Sequence, residues 1–304
     1  MGIPSVYTLY EITNISKKIL DKYPDDAEEI HIQGQYIYLY TQIMETPIER
    51  ASIAEIQEFN KEMTNVFENT GNNSNTSFLS LFPVLSEIRD SYFKMVANSS
   101  FINYNSCRWR IDLGRFRCLK RIYISNVYLS EIVNIPQSLT IFISVNTFLK
   151  KIGELPNGLK RLVCNNNQLE RLPLLQHTNL EVLCFSENQV STLPHLPLTL
   201  KCLIFNNNNI ITLSNLPKHL HHLECNMNYI RELNGLPESL VTLSCSHNFI
   251  MKLPCLSRLH FLKTINCKSN NISEIPPLPG LVEYLDYSEN PIEIFVPFPF
   301  SLIA

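Results

Sequence analysis

The strongest constraint in this chain is a repeat. From Leu119 onward the sequence returns every 20 to 22 residues to the unit L-x-x-L-x-C-x-x-N-x-I-x-x-L-x-x-L-P-x-x. The unit at Leu220 reads LHHLECNMNYIRELNGLPES, and the frame recurs at Leu119, Leu139, Leu159, Leu180, Leu200, Leu240, Leu262 and Val282, nine units in all. The Asn position holds Asn167, Asn188, Asn208, Asn228, Asn248, Asn270 and Asn290, whereas the first two units carry Val127 and Thr147 there. A unit this short cannot bury its own apolar face, so units must stack as a solenoid.

Each fixed position has a physical reason. L-x-x-L-x-C suits a short strand, whose alternate residues face opposite sides. Leu162 and Cys164, or Leu223 and Cys225, then point into the stack, and the residues between them point to the concave surface. The Asn follows at the turn, where its side chain can satisfy backbone groups that no strand reaches and form a ladder along the stack. Ile210, Ile230, Ile250 and Ile272 bury the turn. The pairs Leu155-Pro156, Leu216-Pro217, Leu236-Pro237 and Leu278-Pro279 close the unit. Proline fixes φ and removes a donor, which favours an extended return, and about ten residues leave no room for a full helix there. Cys164, Cys225, Cys245 and Cys267 share one inward slot with Phe185, Phe205, Tyr287 and Ile124. A slot filled so variously selects for apolar volume, so these thiols are read as packing.

The pattern resembles the short LPX-type leucine-rich repeats of bacterial effector proteins. It is also similar to the leucine-rich repeat proteins of giant DNA viruses, whose Asn/Ile/Lys-heavy composition the chain shares. The resemblance covers about residues 119 to 295. It implies an α/β solenoid, with short parallel strands on the concave face and extended convex returns. It also implies a non-enzymatic protein-binding scaffold, a viral or pathogen protein engaging host proteins. Some bacterial relatives add a C-terminal ubiquitin-ligase domain with a catalytic Cys-x-Asp. No cysteine here is followed two places later by Asp, and the chain stops at Ala304 just past the last repeat, which sets that branch aside.

Residues 1–100 carry no repeat and are expected to form a mostly helical cap or adaptor. Helices are predicted over Tyr7 to Lys22, Pro47 to Glu68 and Phe78 to Ala97, and a hairpin around Gly34 in EIHIQGQYIYLYTQ. Residues 101–118 form a linker in which Trp109, Ile111 and Leu113 alternate as a capping strand over the first repeat. The solenoid with its C-terminal cap occupies 119–304, the apolar tail from Phe295 to Phe300 folding over the last unit. The alternative function is a substrate-recognition adaptor of a ubiquitin ligase, docked through the N-terminal helices, although no F-box pattern is visible.

Composition narrows the partners. A net charge of −3 and a pI of about 6.3 give no reason to expect nucleic acid or an anionic membrane. No apolar run is long enough to span a bilayer, and the N-terminus lacks a secretory signal. Nine cysteines, an odd count without a C-x-x-C pair, suit reduced thiols in a cytoplasmic protein. The N-x-S/T triplets at Asn14, Asn72, Asn75, Asn98 and Asn271 are expected by chance in an Asn-rich chain. With only 8 glycines there is no G-x-G-x-x-G or phosphate loop, and neither G-x-S-x-G nor H-E-x-x-H occurs. No enzyme activity, cofactor or metal is expected. Cys202, His222 and Glu224 come together in the repeat frame as types that zinc accepts or a Cys–His nucleophile would use. A polar patch on a binding face is the plainer reading.

The frame also sorts the concave face. Its outward positions run Arg121/Tyr123/Ser125, Ile141/Ile143/Val145, Arg161/Val163/Asn165, Val182/Cys184/Ser186, Cys202/Ile204/Asn206, His222/Glu224/Asn226, Thr242/Ser244/Ser246, Thr264/Asn266/Lys268 and Tyr284/Asp286/Ser288. Ile141, Ile143, Val145, Val163, Val182 and Ile204 are contiguous and rimmed by Arg121, Tyr123 and Arg161, the mark of a protein-contact surface. The later units are polar, with His222 and Glu224 at their start.

Overall fold

The computed structural model describes residues 25–33, 110–125 and 129–293. The chain divides into two compact units, Met1–Gln35 with Cys107–Ala304, and Tyr36–Ser106. All described residues belong to the first. The predicted helices and the tail from Phe295 lie outside the described residues, and no helix occurs among those described.

Ten parallel strands form one sheet: β1 Glu29–Gln33, β3 Arg121–Ser125, β5 Ile141–Val145, β7 Arg161–Val163, β8 Val182–Cys184, β9 Cys202–Ile204, β10 His222–Glu224, β11 Thr242–Ser244, β12 Thr264–Asn266 and β13 Tyr284–Asp286. Register follows the repeat without slip, so that Arg121, Ile141, Arg161, Val182, Cys202, His222, Thr242, Thr264 and Tyr284 fall in one row. Inward rows stack as one continuous core, with Leu162, Leu183, Leu203, Leu223 and Leu243 all fully buried. Cys164, Cys225, Cys245 and Cys267 are also fully buried, and in the same slot Phe185 and Phe205 stack at 5.4 Å. Desolvation raises the Cys225 thiol far above its usual range and the Cys267 thiol to about 12, so both stay neutral fillers.

The Asn ladder forms, and its geometry shows why no other residue serves. Each Oδ1 accepts the N–H of Leu149, Leu169, Val190, Ile210, Ile230, Ile250 or Ile272 in the preceding unit, at 2.9–3.1 Å. Each Nδ2 donates to the preceding strand's carbonyl, from Ser144 to Cys267, at 2.8–3.0 Å. The turn N–H groups lie beyond the ladder of the sheet and would otherwise be buried unpaired, whereas the carbonyls from Cys164 to Cys267 are each shared by two ladder asparagines. The residue before each ladder Asn is left-handed, with φ of 51–58° at Asn166, Glu187, Asn207, Met227, His247, Ser269 and Glu289, as is Asn146 before Thr147.

Two strands that precede the repeat frame join the solenoid. The strand adjoining the first repeat is β1, which pairs in parallel with β3 (Ile30 opposite Ile122) and places Ile30 in the core. Period-2 alternation correctly marks Glu29–Gln33 as a strand, and it joins the solenoid sheet; Gly34 and the second half of the expected hairpin lie outside the described residues. The segment with Ile111 and Leu113 meets the first repeat at its return rather than at the concave sheet. Arg110–Asp112 forms β2 in a second parallel sheet with β4 Glu131–Val133 and β6 Lys151–Ile152, on the return side of the first units. β-branched Ile111, Ile132 and Ile152 favour strand there, where later returns carry Leu172, Leu193 and Leu213. Gly153 permits the close approach, since a Cβ on it would sit 3.0 Å from the Ile132 carbonyl oxygen. Residues 25–33 and 110–119 together supply the strand and return of one further unit, divided in sequence by residues 34–109.

Candidate functional site

The outward positions of the sheet form three rows. The first contains Arg121, Ile141, Arg161 and Val182, all half-buried. The second contains Tyr123, Ile143 and Ile204, half-buried, with Val163 and Cys184 at 3% exposure between them. Val145 continues the third row beside Ser125. The structure therefore brings the expected apolar residues together across β5 to β9. Val163, Cys184 and Cys202 form its packed floor, and the isoleucines stand at its surface. Arg121 lies 3.3 Å from Glu29 of β1, an acidic neighbour that the repeat frame alone does not reveal.

The third row is not the open surface that strand parity suggests. Ser186 N–H donates to Asn165 Oδ1 at 2.8 Å, Asn206 N–H to Ser186 Oγ at 3.0 Å, and Asn226 N–H to Asn206 Oδ1 at 2.8 Å. Asn226 Oδ1 then accepts the Ser246 N–H at 2.7 Å and the hydroxyls of Ser244 and Ser246. Asn226 and Ser246 are buried. This second polar ladder runs along the edge of the concave face. Thr242 and Ser244 are buried too, so the polar surface of the later units is carried by His222, Glu224, Thr264, Asn266, Lys268, Tyr284 and Asp286.

His222 lies beside Cys202 and Thr242 in register, and Glu224 beside Ile204 and Ser244. Burial, with the neighbouring His221, lowers the His222 imidazole to about 4, so it is neutral at physiological pH. A hydrogen bond with Cys184, and then desolvation, raise the Cys202 thiol well above its ordinary value. Glu224 accepts a 3.0 Å hydrogen bond from Asn206 Nδ2. A neutral imidazole suits a metal ligand, but a thiol held protonated does not, nor is it a nucleophile. Among the described residues no three His, Cys, Asp or Glu side chains are arranged to hold a metal ion. No described helix is long and apolar enough to cross a membrane.

Parallel strands in unbroken register, a leucine core, a buried Asn ladder and extended Leu-Pro returns define a leucine-rich repeat solenoid. The fold is that of a leucine-rich repeat solenoid, and its units are similar to leucine-rich repeats of known proteins. The family model "Leucine Rich repeats (2 copies)" matches residues 238–280. Among solved structures, YopM from Yersinia enterocolitica is 28% identical with a TM-score of 0.52, over 62% of this chain and 46% of that one. A Shigella effector leucine-rich repeat domain is 26% identical with a TM-score of 0.41, over 57% of this chain and 70% of that one. The functional domain of InlJ from Listeria monocytogenes, which includes a cysteine ladder, is 19% identical with a TM-score of 0.46, over 60% of this chain and 52% of that one. The alignment thus spans less than half of the YopM chain. No curated protein matches the sequence significantly.

Proposed function

We propose that this chain is a non-enzymatic protein-binding scaffold that engages its partner through the concave face of its early units. The observation that carries this reading is the register. It sets Ile141, Ile143, Val145, Val182 and Ile204 side by side over a packed floor that includes Val163, with Arg121, Tyr123 and Arg161 at the rim. Aromatic and Arg side chains around an apolar centre have the composition of a protein-contact surface. His222 and Glu224 supply a polar margin toward the later units. The likeness to effector leucine-rich repeat domains supports a pathogen or viral protein acting on host proteins, and the reduced cysteines support the cytoplasm as its site. The near-neutral charge supports a protein partner over nucleic acid or membrane.

The test is affinity capture with quantitative mass spectrometry on the full chain. Ile143→Asp and Ile204→Asp place a charge in the centre of the patch without entering the core. Lys252→Glu alters an exposed residue outside the sheet and serves as control. Both concave variants should lose the partner by more than about tenfold, because a charge buried at an interface centre costs at least about 2 kcal/mol. Lys252→Glu should retain it. Equal recovery by all three, with circular dichroism unchanged, would refute the assignment.

A further inference from the structure

We propose that Asn234–Gly235 is a site of spontaneous covalent modification, at which the asparagine side chain is converted to aspartate and isoaspartate. The fold creates this site. The return of this unit needs a left-handed residue between Leu233 and Leu236; Gly235 fills it at φ 68°, as Asn215 does at φ 53° one unit earlier. Leu233 is buried, Leu236 is half-buried, and Asn234 and Gly235 project between them into solvent. A Cβ at Gly235 would meet nothing within 4 Å, and the residue is exposed. Among the described residues the Gly235 N–H makes no hydrogen bond. Among the described residues the Asn234 side chain makes one hydrogen bond, a donation from Nδ2 to Glu232 Oε2 at 2.7 Å, and the residue is exposed.

The chemistry needs only water. The Gly235 backbone nitrogen, losing its proton, forms a bond to Asn234 Cγ; the Cγ–Nδ2 bond breaks, and the amide nitrogen leaves as ammonia with that proton. Water then opens the five-membered imide at either carbonyl, giving an aspartyl or an isoaspartyl linkage. The formal charge falls from −3 to −4, since −3 − 1 = −4. The new carboxylate lies beside Glu232, on a return and away from the strands that form the concave face.

The chain contains its own control. Asn157–Gly158 has the same two residues but sits inside a closed turn. Leu159 N–H donates to the Pro156 carbonyl at 3.1 Å, and the Asn157 carbonyl accepts Asn179 N–H at 2.9 Å. Rotating Asn157 into the attacking geometry breaks both bonds, which corresponds to a rate difference of about thirtyfold.

The full-length protein should be incubated at mildly alkaline pH, digested, and both peptides followed by mass spectrometry for the NH2-to-OH exchange. Native protein should convert Asn234 about thirtyfold faster than Asn157. In urea the two rates should converge, because the turn no longer protects Asn157. Asn234→Gln, whose side chain would have to close a larger ring, should remove the acidic species seen on ion exchange. A native ratio no greater than the urea ratio would overturn the proposal, as would an acidic species that persists in Asn234→Gln.

Discussion

Asn228 is the sharpest test of how this solenoid is held together. Its side chain is almost fully buried and makes four hydrogen bonds, from Ile210 N–H to Oδ1 and from Nδ2 to the carbonyls of Phe205, Cys225 and Asn226. The bonds are unequal in what their loss leaves behind. The Phe205 carbonyl still accepts from Asn208, the Cys225 carbonyl from Asn248 and the Asn226 carbonyl from the Asn207 N–H. Only the Ile210 N–H is orphaned, inside a fully buried residue. An orphaned buried donor costs about 1–3 kcal/mol, and the lost bonds with their small void add about 1 kcal/mol more. Asn228→Ala should therefore destabilise by about 3 kcal/mol and lower Tm by about 6–12 °C for a unit of this size. Asn290→Ala, at the half-exposed end of the ladder, should cost about 1 kcal/mol, because water can replace the carboxamide. Asn209→Ala, next in sequence to the ladder Asn208 but exposed, should change almost nothing. Urea unfolding followed by circular dichroism measures all three. A cost at Asn228 below about 0.5 kcal/mol, or equal costs at Asn228 and Asn290, would refute the ladder as a buried polar support.

Two further perturbations follow from the same geometry. Met227 is exposed and left-handed at φ 53°, so Met227→Gly should stabilise by up to about 1 kcal/mol in the same assay; a loss would mean that its side chain packs in solution. The His222 imidazole is lowered in the folded state to about 4, whereas an unfolded His titrates near 6.5. Between those values the unfolded chain binds the extra proton, so stability is fully present above pH ~6.5 and is lost as pH falls toward ~4, by up to about 3 kcal/mol. His222→Gln should flatten that part of the stability–pH curve, and an unchanged slope would show that His222 is solvated.

Much of the fold is legible because the repeat states both a period and a position. The parity of L-x-x-L-x-C places Leu223 and Cys225 inside and His222 and Glu224 outside, and the structure agrees at each. Parity fails at Asn165, Asn206 and Asn226 for a geometric reason. It says that a side chain points outward but not that the outward direction, at the end of a strand, meets the next unit's backbone N–H. The role of β1 is hidden differently. Alternation in EIHIQ is satisfied by a hairpin and by a solenoid strand alike, Ala27 stands where later units have Leu, and no ladder Asn follows. The partner is set by Ile30 stacking on Ile122, residues 92 positions apart (122 − 30 = 92), which no local pattern records.

The missing Asn at position 147 has a structural account of its own. An Asn at 147 would offer Oδ1 to the Leu129 N–H, but that donor is already held by the Thr147 backbone carbonyl at 2.8 Å. The Thr147 hydroxyl turns the other way, donating to Asn167 Oδ1 at 2.7 Å, and lies 2.7 Å from the Ser144 hydroxyl that occupies the inward Cys/Phe slot. Ser144 and Thr147 therefore replace the motif together: a hydroxyl can enter the core slot only because the turn supplies its partner. Among the described residues the ladder starts at Asn167, whose Oδ1 accepts the Thr147 and Leu149 N–H groups as well as the Thr147 hydroxyl.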